Sequence, residues 1–141
     1  MRIGLVGCVK EKAGRAAPAR DLYTSTLFVG RRRFVERTCD RWYVLSALHG
    51  LVEPDRRLEP YDKTLKGDSA AERRVWSAKV LDTIKLAVGS DLTDLTFEIH
   101  AGAEYREFGL RQALEREGAR VEVPAEGLRM GEQLAFYGGH V

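Results

Sequence analysis

Residues 2–8 read RIGLVGC and residues 42–48 read WYVLSAL. The first run is almost continuously apolar, which predicts a strand buried on both faces, as in a parallel sheet covered by helices. The second is aromatic and β-branched, the composition of another strand. Between them, positions 25–39 predict a helix. Leu27, Phe28, Phe34 and Val35 fall on one face, with Arg31, Arg32, Arg33 and Arg37 largely elsewhere. Ser25 or Thr24 would cap it. Strand, helix and strand in that order predict a parallel pair joined by a right-handed crossover.

The alternation continues along the chain. Ser69 with Glu72 forms a capping-box pattern that opens a helix to about Val88, stopped at Gly89. Trp76, Val80, Ile84 and Ala87 form its expected sheet-facing stripe. Leu95, Phe97 and Ile99 alternate, which predicts a third strand over 95–101. A helix over 103–117 should follow Gly102 and end at Gly118, then a short strand over 120–123 and a last helix over 130–137. The expected fold class is α/β: a three-layer α/β/α arrangement with a four-stranded, mainly parallel sheet. With no repeat and no linker, residues 1–141 read as one domain. The segment 49–68, HGLVEPDRRLEPYDKTLKGD, is long for a connection. Its Leu51, Pro54, Leu58, Pro60 and Tyr61 predict that it is ordered and packed.

Composition narrows the class. The chain is 44% hydrophobic and 31% charged, which excludes disorder as its main state. Two cysteines, Cys8 and Cys39, make neither a disulfide framework nor a zinc pattern. The first apolar run is too short for a signal peptide or a membrane span, so a cytoplasmic protein with no membrane association is expected. The net charge of +2 hides an asymmetry. Residues 1–41 carry ten Lys/Arg against four Asp/Glu, and the rest of the chain is net acidic. A basic N-terminal third suits an anionic ligand such as phosphate or nucleic acid, or a solvated helix face.

Open parallel sheets bind ligands beyond the carboxyl ends of their strands. Those ends offer Cys8, Lys10 and Lys12 after the first strand. After the second come Ser46, His49, Gly50, Glu53, Glu59, Tyr61 and Asp62. After the third come His100, Gly102, Glu104 and Tyr105, and after the fourth Glu126, Gly127 and the segment LRMGEQ at 128–133. There is no dinucleotide fingerprint and no phosphate-loop motif, and the histidines lack metal spacing, so neither a cofactor nor a metal is expected. Cys8, near Lys10 and Lys12, is a candidate nucleophile or a small buried residue. Lys10, Lys12 and Arg20 are candidate phosphate contacts, and Lys12 could also act as an amine nucleophile. Tyr23 and Ser25 precede a helix, where Ser25 caps or helps to hold an anion. His49 is a candidate acid/base group. Glu59 and Asp62 could activate water or stabilise a cationic sugar-like transition state, or simply anchor the loop. Tyr23 and Tyr61 could stack on or bracket a base, with Gly50, Glu104 and Tyr105 completing the pocket. Glu104 is equally explained by its place in a first helical turn.

The runs GCVKEK…APARDLYTSTLF, WYVLSALHGLVEPDRRLEPYDKTL, HAGAEYREFGLRQAL and VEVPAEGLRMGEQLAFY together resemble a widespread uncharacterised bacterial and phage domain over nearly the whole chain. The stretch LSALHGLVEPDRRLEPYD is similar to one in the larger proteins of the peroxide-stress family YaaA, which implies DNA binding and protection against oxidative damage. Cys8-x-x-x-Lys12, followed by Tyr23 and Ser25, resembles the archaeosine synthase core. That core acts on a deazaguanine base in tRNA and is likened to the uracil-DNA glycosylase fold. Here Gly7 and Ala13 stand where that pattern has prolines, and the tyrosine is displaced by an insertion.

The expected function is a small enzyme acting on a nucleobase, nucleotide or nucleic acid, by N-glycosidic bond hydrolysis or base modification. The alternative is a non-catalytic DNA- or RNA-binding protein that lays the arginines of the first helix on phosphates. A third reading is a subunit whose Phe136 and Tyr137 form a homo-oligomer contact. A pocket enclosing Cys8, His49, Glu59 and Tyr61 separates the first reading from the second, which needs only a flat arginine stripe.

Overall fold

The computed structural model describes residues 1–8 and 12–138. Its centre is β1 (Arg2–Gly7), the apolar run that opens the chain, with Ile3 to Gly7 buried. β1 pairs in parallel with β3 (Arg41–Ser46) on one side, from Ile3 opposite Arg41 to Gly7 opposite Leu45. On the other side it pairs in parallel with β6 (Thr96–His100), which pairs in parallel with β7 (Arg120–Glu122). These are the four expected strands. A fifth, β4 (Gly50–Val52), adds to the outer edge of β3 in the antiparallel sense, so the sheet order is β4-β3-β1-β6-β7. The reversal passes through Gly50, whose φ of +71° suits glycine.

The long segment after β3 is therefore more regular than a packed loop. Besides β4 it holds β5 (Arg57–Leu58), which pairs antiparallel with β2 (Ala17–Pro18) from the connection after β1. This small second sheet ties the loops that follow β1 and β3 to each other. The tie is extended by backbone bonds from Ala19 N–H to Arg56 O (2.8 Å) and from Arg20 N–H to Pro54 O (2.9 Å). A short helix, α1 (Ala19–Leu22), follows β2.

α2 (Thr26–Thr38) starts where Ser25 Oγ accepts the Phe28 N–H at 3.1 Å. It packs closely on β1: a side chain at Gly4 would put its Cβ 2.7 Å from Val35 Cγ1. α3 (Ala70–Val88) carries both bonds of the capping box, Ser69 N–H to Glu72 Oε1 at 2.9 Å and Glu72 N–H to Ser69 Oγ at 3.1 Å. Trp76, Val80 and Ile84 are buried as expected. Ala87 is exposed instead, because steps of four residues from Trp76 reach Val88, which is half-buried. The expected helix over 103–117 is two pieces, α4 (Ala103–Arg106) and α5 (Leu110–Arg116). The break falls at Gly109, with φ +120°, and it lets Leu110 and Leu114 both reach the core. α6 (Met130–Gly138) packs against α2, while α3 packs against α4 and α5, giving helical layers about the sheet.

Candidate functional site

The carboxyl ends of β1 and β3 lie side by side, and three hydroxyls meet there. Ser46, the last residue of β3, is fully buried. Its Oγ accepts the His49 N–H at 3.0 Å and lies 2.7 Å from the Tyr61 hydroxyl. The Tyr61 hydroxyl in turn lies 2.5 Å from that of Tyr23. The Ser46 carbonyl accepts the Trp76 indole N–H at 2.9 Å, which fixes the strand end against α3. Tyr23 follows α1 and Tyr61 follows β5, so the β2–β5 pairing sets the distance between the two phenols. Lys12 bridges the backbone of Tyr23 and holds its ammonium 4.6 Å from the Tyr61 ring centre and 5.8 Å from that of Tyr23, within cation–π range. Burial raises both phenols, that of Tyr23 to about 12, so the cluster is neutral at physiological pH.

Cys8 continues β1 into this site. Its N–H is bonded to Leu45 O at 3.0 Å, its side chain is buried, and its Sγ lies 3.3 Å from the Tyr105 hydroxyl. Burial, and next the neighbouring thiol, raise both Tyr105 and Tyr61. His49 is exposed, and its ring meets the Tyr61 ring edge-on at 5.4 Å. Partial burial, followed by the Arg56 charge, lowers its pKa, which favours a neutral imidazole able to accept a proton. Beside His49 runs an open groove of about 670 Å³, bordered by Gly50, Trp76, Lys79 and the Lys63–Asp68 ion pair at 2.5 Å. The structure thus brings Cys8, Lys12, Tyr23, Tyr61, Tyr105, Gly50 and His49 to one end of the sheet, around Ser46.

The other sequence candidates stand apart. Glu59 and Asp62 are exposed and make no hydrogen bond or ion pair among the described residues. Arg20 lines a separate groove of about 400 Å³ with Arg41, Trp42 and Glu53, at the start of β3 rather than its end. Ser25 caps α2. Glu104 folds back on Gly102, where a Cβ would lie 2.6 Å from its Oε1. Lys10 lies outside the described residues. Tyr23 is 1% exposed, so it offers a hydroxyl to a neighbour and no ring face to a base. Among the described residues no group of three or more His, Cys, Asp or Glu could hold a metal ion.

A second polar assembly lies under α2 and α6, and the sequence reading missed it. Arg31 does not point to solvent with its neighbours. It is buried, its Nη1 donates to Gly7 O at 3.5 Å and its Nη2 to Gln133 Oε1 at 3.4 Å, while its Nε has no partner. Positions 27, 28, 31, 34 and 35 form one helical stripe, so the spacing already put Arg31 on the apolar face. Arg32 pairs with Asp21 at 2.9 Å and Glu36 at 3.2 Å, leaving Arg33 and Arg37 as the exposed arginines of the helix.

His100 belongs to the same assembly and lies within β6 rather than after it. Its Nε2 is 2.8 Å from Glu98 Oε1 and its Nδ1 2.7 Å from the Tyr137 hydroxyl. Burial lowers the His100 pKa. A carboxylate only accepts, so the neutral ring donates from Nε2 to Glu98 and accepts from Tyr137 at Nδ1. Glu98 also accepts from Arg2 at 2.6 Å and from Thr38 at 3.0 Å. Burial pushes Glu98 up, but the bonds from His100 and Arg2 outweigh it and hold the carboxyl at about 2. Tyr137 is buried in this chain, which removes it from the expected homo-oligomer contact.

Among the described residues no helix is long and apolar enough to cross a membrane. No curated protein and no solved structure matches the chain. The family of unknown function DUF6884 matches residues 3–139, nearly the full length, and the chain belongs to that family.

Proposed function

We propose that this protein is a small enzyme acting on a nucleobase, nucleotide or nucleic acid at the carboxyl ends of β1 and β3. The observation that carries this reading is the Ser46–Tyr61–Tyr23 hydroxyl cluster with the Lys12 ammonium over its rings. Neutral hydroxyls beside a cation suit a ligand with hydrogen-bonding heteroatoms and a negative charge. The basic N-terminal third and the likeness to the archaeosine synthase core support the same class of ligand. His49 is the acid/base group in this reading, since it is exposed, next to Tyr61, and disposed to be neutral. For N-glycosidic hydrolysis the C–N bond breaks, the base leaves with a proton and water supplies the new C–O bond. A carboxylate near the sugar would stabilise its positive charge, a role for which only the exposed Glu59 or Asp62 of the neighbouring loop is offered.

The second reading is a non-catalytic DNA- or RNA-binding protein of the YaaA kind. It is favoured by exposed Arg33 and Arg37 on α2, but Arg31 is buried and Arg32 is paired, so the arginine stripe is thinner than the sequence implied. Thermal-shift screening of nucleosides, nucleotides and short oligonucleotides separates the two, combined with chromatography for a released or altered base. The enzyme reading expects a raised melting temperature with a small ligand, and product that disappears in His49→Ala. Oligonucleotide binding without product, falling steeply with salt, would favour the second reading. Stabilisation by none of these ligands removes both.

A further inference from the structure

Arg31 is a buried cation with no ion-pair partner among the described residues. Its side chain leaves α2 among Leu27, Phe28, Phe34 and Val35, a position where a leucine would pack. The nearest acceptors are neutral: Gly7 O, Gln133 Oε1 and the Tyr137 oxygen beside it. These two contacts, at 3.5 and 3.4 Å, are long for a charge-assisted bond. No carboxylate forms an ion pair with it among the described residues. Glu104 is near enough to be felt electrostatically, yet its carboxylate is turned onto Gly102. Buried charges in proteins are normally paired and fully hydrogen-bonded. Arg31 is neither, and its Nε is buried with no partner.

Its location gives that unspent capacity a use. Gly7 closes β1, so the guanidinium sits at the carboxyl end of the central strand, where open parallel sheets take ligands. Cys8, the next residue, borders the hydroxyl cluster. We propose that Arg31 binds the phosphate group of the ligand, so that the substrate is a nucleotide and not a free nucleoside or base. A guanidinium fork matches phosphate oxygens two at a time, which a lysine cannot do. Bound phosphate would replace the two long contacts with short charged ones, and Gln133 on α6 would move with it. This assignment rests on the functional reading above and specifies its substrate. It places the phosphate at Arg31, which the sequence offers only as part of an exposed arginine stripe, and leaves Arg20 in its separate groove.

Calorimetric titration of the full chain tests it, with a nucleoside, its 5′-monophosphate and inorganic phosphate as ligands, on the wild type, Arg31→Gln and Arg31→Lys. Melting curves without ligand establish that each variant is folded. The wild type should bind the monophosphate at least about tenfold more tightly than the nucleoside, the size expected of one charged hydrogen-bonding contact. In Arg31→Gln that preference should collapse while nucleoside affinity holds, and in Arg31→Lys it should be partly kept. A merely structural Arg31 would change the melting temperature and leave the preference intact, which overturns the assignment. So does equal binding of nucleoside and monophosphate by the wild type. If neither binds, the nucleotide reading fails, and inorganic phosphate alone decides the site. Stabilisation of the wild type but not of Arg31→Gln sustains it, and no response in either overturns it.

Discussion

Two polar assemblies flank β1, and they are built on opposite principles. The hydroxyl cluster of Ser46, Tyr61 and Tyr23 is uncharged and joins a strand end to two loops. The chain from Arg2 through Glu98 and His100 to Tyr137 has a paired charge at one end and runs beneath helices. Burying neutral hydroxyls that satisfy one another is a small cost, and Tyr61, the half-buried member, can exchange partners with a ligand. Burying a carboxylate is tolerable only with every partner in place. The comparison teaches that the charged assembly governs stability and its pH dependence, whereas the neutral one can change partners without unfolding the protein.

The most damaging change should be Glu98→Ala. It removes three bonds to a charged acceptor at once and leaves the buried His100 Nε2 without a partner, while Arg2 keeps Glu122 and Thr38 keeps Phe34 O, and a loss of about 3–5 kcal/mol is expected in denaturant unfolding. A loss no larger than that from an exposed ion pair would break the comparison. Acid titration of the wild type sharpens it. His100 stays neutral in the fold while the unfolded chain takes up a proton, so stability should begin to fall as the pH drops below about 6.5. Glu98 has the opposite ionisation but the same sign: its stabilisation is complete above the unfolded value near 4.5 and is lost as the pH falls toward about 2. His100→Asn should narrow the upper window, which His49 shares, by at most about 1.4 kcal/mol per pH unit, and keep the part of the lower one that Arg2 sustains.

The hydroxyl cluster should respond more mildly. Tyr61→Phe leaves Ser46 and Tyr23 without their shared partner, at about 1–3 kcal/mol, with little change in the acid profile. A new acid-sensitive step in that variant would contradict the assignment of pH dependence to the charged chain. Ser69→Ala supplies the smallest effect, about 1 kcal/mol by chemical denaturation, because it removes only the capping bond of α3 and touches neither assembly.

Features that depend on neighbours in the chain were legible in advance. The four parallel strands, the Ser25 cap, the Ser69–Glu72 box and the stop at Gly89 follow from local spacing and backbone preference. The strand-end rule also brought Cys8, His49, Tyr61 and Tyr105 to notice as candidates. The break at Gly109 was less readable, since a glycine in a helical pattern costs little and becomes a break only when Leu110 and Leu114 are drawn into the core. Arg31 was missed for a different reason. A charged side chain ordinarily signals exposure, whereas its helical spacing places it among Leu27, Phe28 and Phe34.

By its own periodicity and caps, the sequence determined which segments become strands and helices, because those preferences act over three or four residues. The tertiary structure alone decided which distant groups share a partner. Residues 23, 46 and 61 meet only because β2 pairs with β5, and residues 2, 98, 100 and 137 only because β1 lies beside β6 with α6 folded over α2. A hydrogen bond forms when its atoms come within about 3 Å, a condition that pairing and packing impose and that no local pattern encodes.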